Sequence, residues 1–259
     1  MASRGYDMLS ATNLRVTIDG TTILHGVDFI AEPGEVTAIV GPNGSGKSTL
    51  LSALTGTQTF DGEAQMGALD LATAKPWELA ARRAVLAQFT SVAFPFTVSE
   101  VVRIGGGEPD LTTAALARVG LGTYGTRPYH ALSGGEQQRV QLARVLTQVW
   151  RPMDAGVARW LILDEPVSSL DIAHQLDVME IARDFARAGG GVVAVMHDLN
   201  LTAMFADSVA LMSKGQVVRQ GAVHDVLTDE TLSGAYGCRV QVNMAPRGGT
   251  FVLPQASQA

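Results

Sequence analysis

The chain has 259 residues, 46% of them hydrophobic, with 19 basic and 25 acidic side chains and a net charge of −6. That supplies one large core or two small ones, and an acidic balance without any basic run argues against nucleic acid as the main partner. One cysteine, Cys238, excludes an internal disulfide and fits a reducing compartment. No apolar run is long enough to span a membrane, and the opening Met1-Ala2-Ser3-Arg4-Gly5-Tyr6-Asp7 does not read as a signal peptide.

Residues 9–35 alternate polar and apolar around Asp19-Gly20 and Glu32-Pro33-Gly34, which predicts antiparallel strands leading into the core. Val36-Thr37-Ala38-Ile39-Val40 is β-branched and apolar, the pattern of a strand buried on both faces. Gly41 breaks it, and Ser48-Thr49-Leu50-Leu51-Ser52-Ala53-Leu54 reads as a helix stopped by Gly56. Between them lies Gly41-Pro42-Asn43-Gly44-Ser45-Gly46-Lys47-Ser48-Thr49, a phosphate-binding loop in its strand–loop–helix context. Its glycines let backbone N–H groups turn toward one anion, and the helix N-terminus adds partial positive charge. Lys47 is expected at the β- and γ-phosphates of a nucleotide, and the Ser48 hydroxyl on Mg²⁺.

Residues 64–71 read as a further strand, and Gln88 follows the apolar run Ala84-Val85-Leu86-Ala87. Phe94-Pro95-Phe96 reads either as loop packing or as an exposed aromatic docking surface. Residues 97–150 read helical, with Thr97-Val98-Ser99-Glu100 as a capping box and Gly120 and Gly122 as punctuation. In Leu132-Ser133-Gly134-Gly135-Glu136-Gln137-Gln138, Ser133 and Glu136 form a second capping box opening a helix over residues 137–150. Gly134 and Gly135 leave that N-terminus bare, so a phosphate could approach its backbone.

Trp160-Leu161-Ile162-Leu163 is another buried strand, ending in Asp164-Glu165-Pro166. Ligand groups in open α/β sheets sit at strand C-terminal ends, so Asp164 is expected to orient Mg²⁺ and Glu165 to polarise an attacking water. Ser168-Ser169-Leu170-Asp171 follows, and Asp171 joins the expected nucleotide-binding set. His197 ends the strand Val192-Val193-Ala194-Val195-Met196, while the other four histidines show no metal-ligand spacing. Residues 208–221 read as a hairpin turning at Lys214-Gly215, and the tail after residue 240 as a small strand-rich appendage.

The phosphate loop, the Leu132–Gln138 run and Leu161-Ile162-Leu163-Asp164-Glu165, in this order, resemble the ATP-binding subunit of an ABC transporter over roughly residues 9–240. The resemblance implies an α/β fold: a P-loop NTPase core of the ABC ATPase type, with an N-terminal antiparallel β-subdomain and an inserted α-helical subdomain. It implies one ATP-binding domain over residues 1–259: core 9–88 and 151–240, helical subdomain about 89–150, C-terminal appendage about 241–259. It makes Gln88 a Mg²⁺ contact linking core to helical subdomain, and His197 a γ-phosphate sensor. It implies a homodimer with ATP between the phosphate loop of one copy and the Ser133–Glu136 turn of the other.

Three positions depart from the family pattern. Ile18 stands where an aromatic residue usually stacks on adenine, Val167 where Thr is common, and Gly105-Gly106-Gly107-Glu108-Pro109 replaces what is often a longer polar stretch. The long link over residues 150–160, with His197-Asp198-Leu199-Asn200-Leu201 and Ala235-Tyr236-Gly237, looks like the haemin importer ATPases of the iron-chelate and cobalamin importer group. That likeness implies a peripheral subunit on the cytoplasmic face of a bacterial inner membrane, bound to a polytopic permease and served by a periplasmic haem-binding protein. Ferric siderophore or cobalamin import stays open as the nearest alternative. A soluble ABC protein usually carries two cassettes or long insertions, and a P-loop kinase or GTPase would lack the Leu132–Gln138 run.

Overall fold

The computed structural model describes residues 7–88, 90, 92–245 and 248–254. Two long antiparallel strands open the chain, β1 (Leu9–Ile18) and β2 (Thr21–Ala31). They join through Asp19-Gly20, both at positive φ (50° and 76°), as the twist of a two-residue hairpin demands. Leu9, Ala11, Leu14 and Val16 of β1 face the core, and the break in their alternation is a bulge at Asn13, itself at φ 49°.

The elements that follow are β3 (Val36–Val40), α1 (Lys47–Leu54), β4 (Asp61–Met66), β5 (Leu69–Asp70), α2 (Pro76–Arg82) and β6 (Arg83–Leu86). Next come α3 (Val98–Arg103), α4 (Pro109–Arg118), a 3-10 turn at Tyr129–Ala131, α5 (Gly134–Gln148), β7 (Met153–Asp154) and β8 (Val157–Ala158). The chain continues through β9 (Trp160–Asp164), α6 (Ile172–Arg187), β10 (Gly191–Val195) and α7 (Leu199–Phe205). It closes with β11 (Ser208–Ser213), β12 (Gln216–Ala222), α8 (Val223–Val226) and α9 (Asp229–Tyr236).

Two sheets organise the fold. A four-stranded antiparallel sheet runs β2-β1-β4-β5, and a six-stranded sheet runs β12-β11-β3-β10-β9-β6. The second is parallel except where β11 meets β12. Its central strands are apolar apart from Thr37 and the terminal Asp164, because nearly every residue has a core to enter. Ile39, Ile162, Val193 and Val195 face the cluster shared with the first sheet and α1, while Ala38, Val40, Leu161, Leu163, Val192 and Ala194 face the helices on the other side. Fully burying one such aliphatic side chain contributes about 1.5–3 kcal/mol.

Several expectations change in detail. Residues 64–71 form two short strands, because Gly67 turns the chain at φ 61°. Residues 97–150 break into three helices and a 3-10 turn, and the last helix begins at Gly134 and ends at Gln148. The link over residues 150–160 is a small hairpin of β7 and β8, turning at Ala155 and Gly156, both at positive φ. The tail differs more: its described residues after 240 carry no strand. Val240 N–H donates to Ser233 Oγ (2.9 Å) and Val242 N–H to Asp229 Oδ1 (2.7 Å), so side chains take the donors a ladder would use. Among the described residues no helix is long and apolar enough to cross a membrane.

Candidate functional site

The loop from Gly41 to Thr49 connects the C-terminal end of β3 to α1. Gly41, Gly44 and Gly46 sit at φ 149°, 76° and 98°, conformations that L side chains rarely adopt. A Cβ at Gly41 would stand 2.2 Å from the Met212 carbonyl oxygen, so β11 itself forbids a side chain there. Lys47 is buried, and its Nζ donates to the carbonyls of Gly41 (2.9 Å) and Pro42 (3.0 Å). Burial pulls its pKa down, and the carboxylates of Glu165 and then Asp164 push it back up.

Those carboxylates come from the end of β9, the strand next but one to β3. Asp164 is held above the usual carboxylate range by burial and by the charge of Glu165, with His197 and Lys47 opposing. Its Oδ1 is buried without a hydrogen-bond partner among the described residues. Glu165 leaves the strand at φ 51°, the left-handed region, where a non-glycine residue carries about 1–3 kcal/mol of strain. Surrounding contacts hold it there. Its N–H donates to the Val195 carbonyl (3.2 Å), and its carbonyl accepts from Gln138 Nε2 and Ser168 Oγ (3.2 Å each). Its carboxylate takes Gln88 Nε2 at 2.7 Å on one oxygen and meets His197 Nε2 at 2.5 Å on the other.

The structure thus brings Gln88, Glu165 and His197 into one cluster at the ends of β6, β9 and β10. They line an open pocket of about 750 Å³ together with Asn43, Gly44, Gly46, Lys47, Ser48 and Thr49. Ile23 of β2 also lines it; sequence reading missed this residue and named Ile18, which stands 40% exposed at the end of β1. Gln138, marked in the sequence only as part of a helix start, reaches the Glu165 carbonyl from α5, which packs against β6.

Ser133, Gly134, Gly135, Glu136 and Asp171 lie elsewhere. They line a second pocket with Arg139, Ser169, Leu170 and His174. The capping box forms as expected, with Ser133 N–H on Glu136 Oε2 (2.8 Å) and Glu136 N–H on Ser133 Oγ (3.3 Å). Asp171 caps α6 through the His174 N–H (3.0 Å), which with the His174 ring holds its carboxyl below the ordinary range.

A family model described as ABC transporter matches residues 24–168, spanning the phosphate loop, the Ser133–Glu136 turn and both carboxylates. The hemin import ATP-binding protein HmuV of Jannaschia sp. is 58% identical over 258 residues, covering 97% of this chain and 96% of that protein. HmuV of Roseobacter denitrificans is 59% identical, covering 96% and 98%. HmuV of Rhizobium meliloti is 52% identical, covering 96% and 99%. Among solved structures, a nucleotide-free ATP-binding cassette from an ABC transporter superposes with a TM-score of 0.77 at 24% identity, covering 88% of this chain and 98% of that one. A bacterial Atm1-family ABC exporter with ATP bound gives 0.76 at 25% identity, covering 87% of this chain and 40% of that one. With the phosphate loop, both carboxylates and the Ser133–Glu136 turn all inside the matched span, the chain belongs to the ABC transporter family.

Proposed function

We propose that this chain is the ATP-hydrolysing motor subunit of a bacterial haem (hemin) importer. The observation that carries the catalytic part is the convergence of Lys47, Gln88, Glu165 and His197 on one pocket. The cargo rests on the likeness to hemin import ATP-binding proteins along nearly the whole chain.

The loop amides and Lys47 bind the β- and γ-phosphates of ATP, in a site whose partial burial strengthens each charge. Mg²⁺ fits the residues present: a hydroxyl on Ser48, an amide oxygen on Gln88 and the unpartnered carboxylate oxygen of Asp164 are hard oxygen donors. Among the described residues no group of three His, Cys, Asp or Glu side chains could hold a metal alone, which suits an ion shared with substrate phosphates. When bound, Mg²⁺ neutralises phosphate charge. Glu165 is the general base, accepting a proton from the attacking water at a carboxylate oxygen. Gln88 and His197 fix that carboxylate's direction, and His197 reports the γ-phosphate.

The anion-accepting turn at Ser133–Glu136 and the phosphate loop line different pockets of one chain. They can share one phosphate when they belong to two copies, which supports a homodimer with two ATP sites, Asp171 lying beside each junction. The dimer would drive a polytopic permease from the cytoplasmic face of the inner membrane, with a periplasmic haem-binding protein delivering cargo. Phe94 is 69% exposed and its ring stands 5.9 Å from that of Phe96, an aromatic pair suited to the permease contact. The test is deletion of this gene in a host grown on haem as sole iron source. Growth should fail on haem and persist on siderophores and cobalamin. Normal growth on haem with failure on another chelate would move the cargo and leave the ATPase intact.

A further inference from the structure

Glu165 sits at φ 51° directly before Pro166, and the residue before a proline ordinarily takes an extended backbone. Nothing local keeps it left-handed, so its conformation depends on what grips the peptide groups on either side. Its N–H is fixed to the Val195 carbonyl at the end of β10. Its carbonyl is gripped by two donors, Ser168 Oγ and Gln138 Nε2, each at 3.2 Å. Ser168 is exposed, and water competes for its hydroxyl. Gln138 is half-buried on α5, and only its Nε2 can favourably face that carbonyl.

As a packing residue Gln138 works against stability. Its Oε1 is shielded from solvent and has no hydrogen-bond partner among the described residues. A buried acceptor left unmet destabilises, so an apolar side chain of the same length would serve the packing of α5 on β6 as well or better. What the amide adds is the contact that an apolar chain cannot make. Through it α5 meets both pockets. Its capping box lines the one at Ser133–Glu136, and about one turn beyond Gly134 its Gln138 grips the backbone of Glu165 in the other.

We propose that Gln138 is a positioning residue for hydrolysis, its amide holding the Glu165 carbonyl so that the carboxylate stays aimed at the attacking water. The role rests on reading Glu165 as the general base. A base must lie within hydrogen-bond reach of the proton it takes, and a backbone released toward the extended region turns the Cα–Cβ bond, and the carboxylate with it, out of that reach.

The test is Gln138→Met, which keeps an unbranched side chain of the same length and removes the donor. The expected result is a fall of about 3- to 10-fold in kcat, the size of one lost hydrogen bond. Kd for a fluorescent ATP analogue should stay within about twofold, because Lys47 and the loop amides are untouched. Tm should hold or rise, because the unmet Oε1 leaves with the amide. The same change is then made in Glu165→Gln. With no base left to aim, it should alter that variant's residual turnover by less than about twofold. Equal falls in both backgrounds would overturn the role, as would an unchanged kcat in the single variant. Gln138→Glu keeps the shape and, when ionised, donates nothing. It should lose at least as much turnover, so a packing fault at methionine cannot mask the effect. Glu165→Gln alone separates the two readings. Near-normal turnover there places the base elsewhere; lost turnover there beside a normal Gln138→Met removes the role of Gln138 alone.

Discussion

Glu165→Gln isolates the proton acceptor from everything else the residue does. The carboxylate is only 15% exposed, and both its oxygens are engaged, by Gln88 Nε2 and His197 Nε2. A glutamine can keep both contacts: its oxygen accepts from Gln88, and its amide donates to a neutral His197 nitrogen. The left-handed backbone is held by the carbonyl and N–H contacts, which the change leaves alone. What disappears is the base and one negative charge beside Asp164 and Lys47. Loss of a general base should lower turnover by about 10²- to 10⁴-fold, or roughly 3–5.5 kcal/mol of barrier. ATP affinity should hold or tighten, since a carboxylate facing the phosphates is gone. Single-turnover hydrolysis with a phosphate-release assay measures the first, and gel filtration with ATP and Mg²⁺ shows whether an ATP-bound dimer accumulates. Turnover within tenfold of the unaltered protein, from a folded variant that binds ATP, would place the base elsewhere.

Lys47→Ala should weaken ATP binding by about 10- to 150-fold, the range for a lost charge-assisted hydrogen bond, with the fold intact by circular dichroism; equilibrium titration checks it. Replacing Phe94 and Phe96 together with Ser should leave soluble ATPase activity within about twofold and abolish haem uptake in a reconstituted importer, because hydrolysis and permease contact use different surfaces.

Much of the site was legible because its chemistry is contiguous. The phosphate loop lies between two elements whose own patterns are plain, and Asp164, Glu165 and His197 stand at the ends of apolar runs that can only be central strands. Ile23 was not legible as a pocket residue, and Gln138 stood out only as the last residue of the Leu132–Gln138 run, not as a partner of Glu165. Each reaches the site through packing between distant segments. Ile18 drew attention as the residue at the family's usual adenine-stacking position, whereas Ile23 of the neighbouring strand lines the pocket. The tail misled for a related reason. Its β-branched residues suggest a strand, but Ser233 and Asp229 of α9 take the backbone donors first.

The position of β3 bears on how the protein is made. This strand carries the phosphate loop, yet its sheet partners are β10 and β11, and the hydrogen bond from Val36 N–H ends on Asp207, 171 residues further along the chain. Sheets closed by such distant pairings form slowly. A nascent chain that has delivered the loop and even α5 still lacks both neighbours of β3, and its apolar residues wait uncovered. The loop therefore takes its shape late in synthesis, and nucleotide binding reports that nearly the whole chain has been completed and folded.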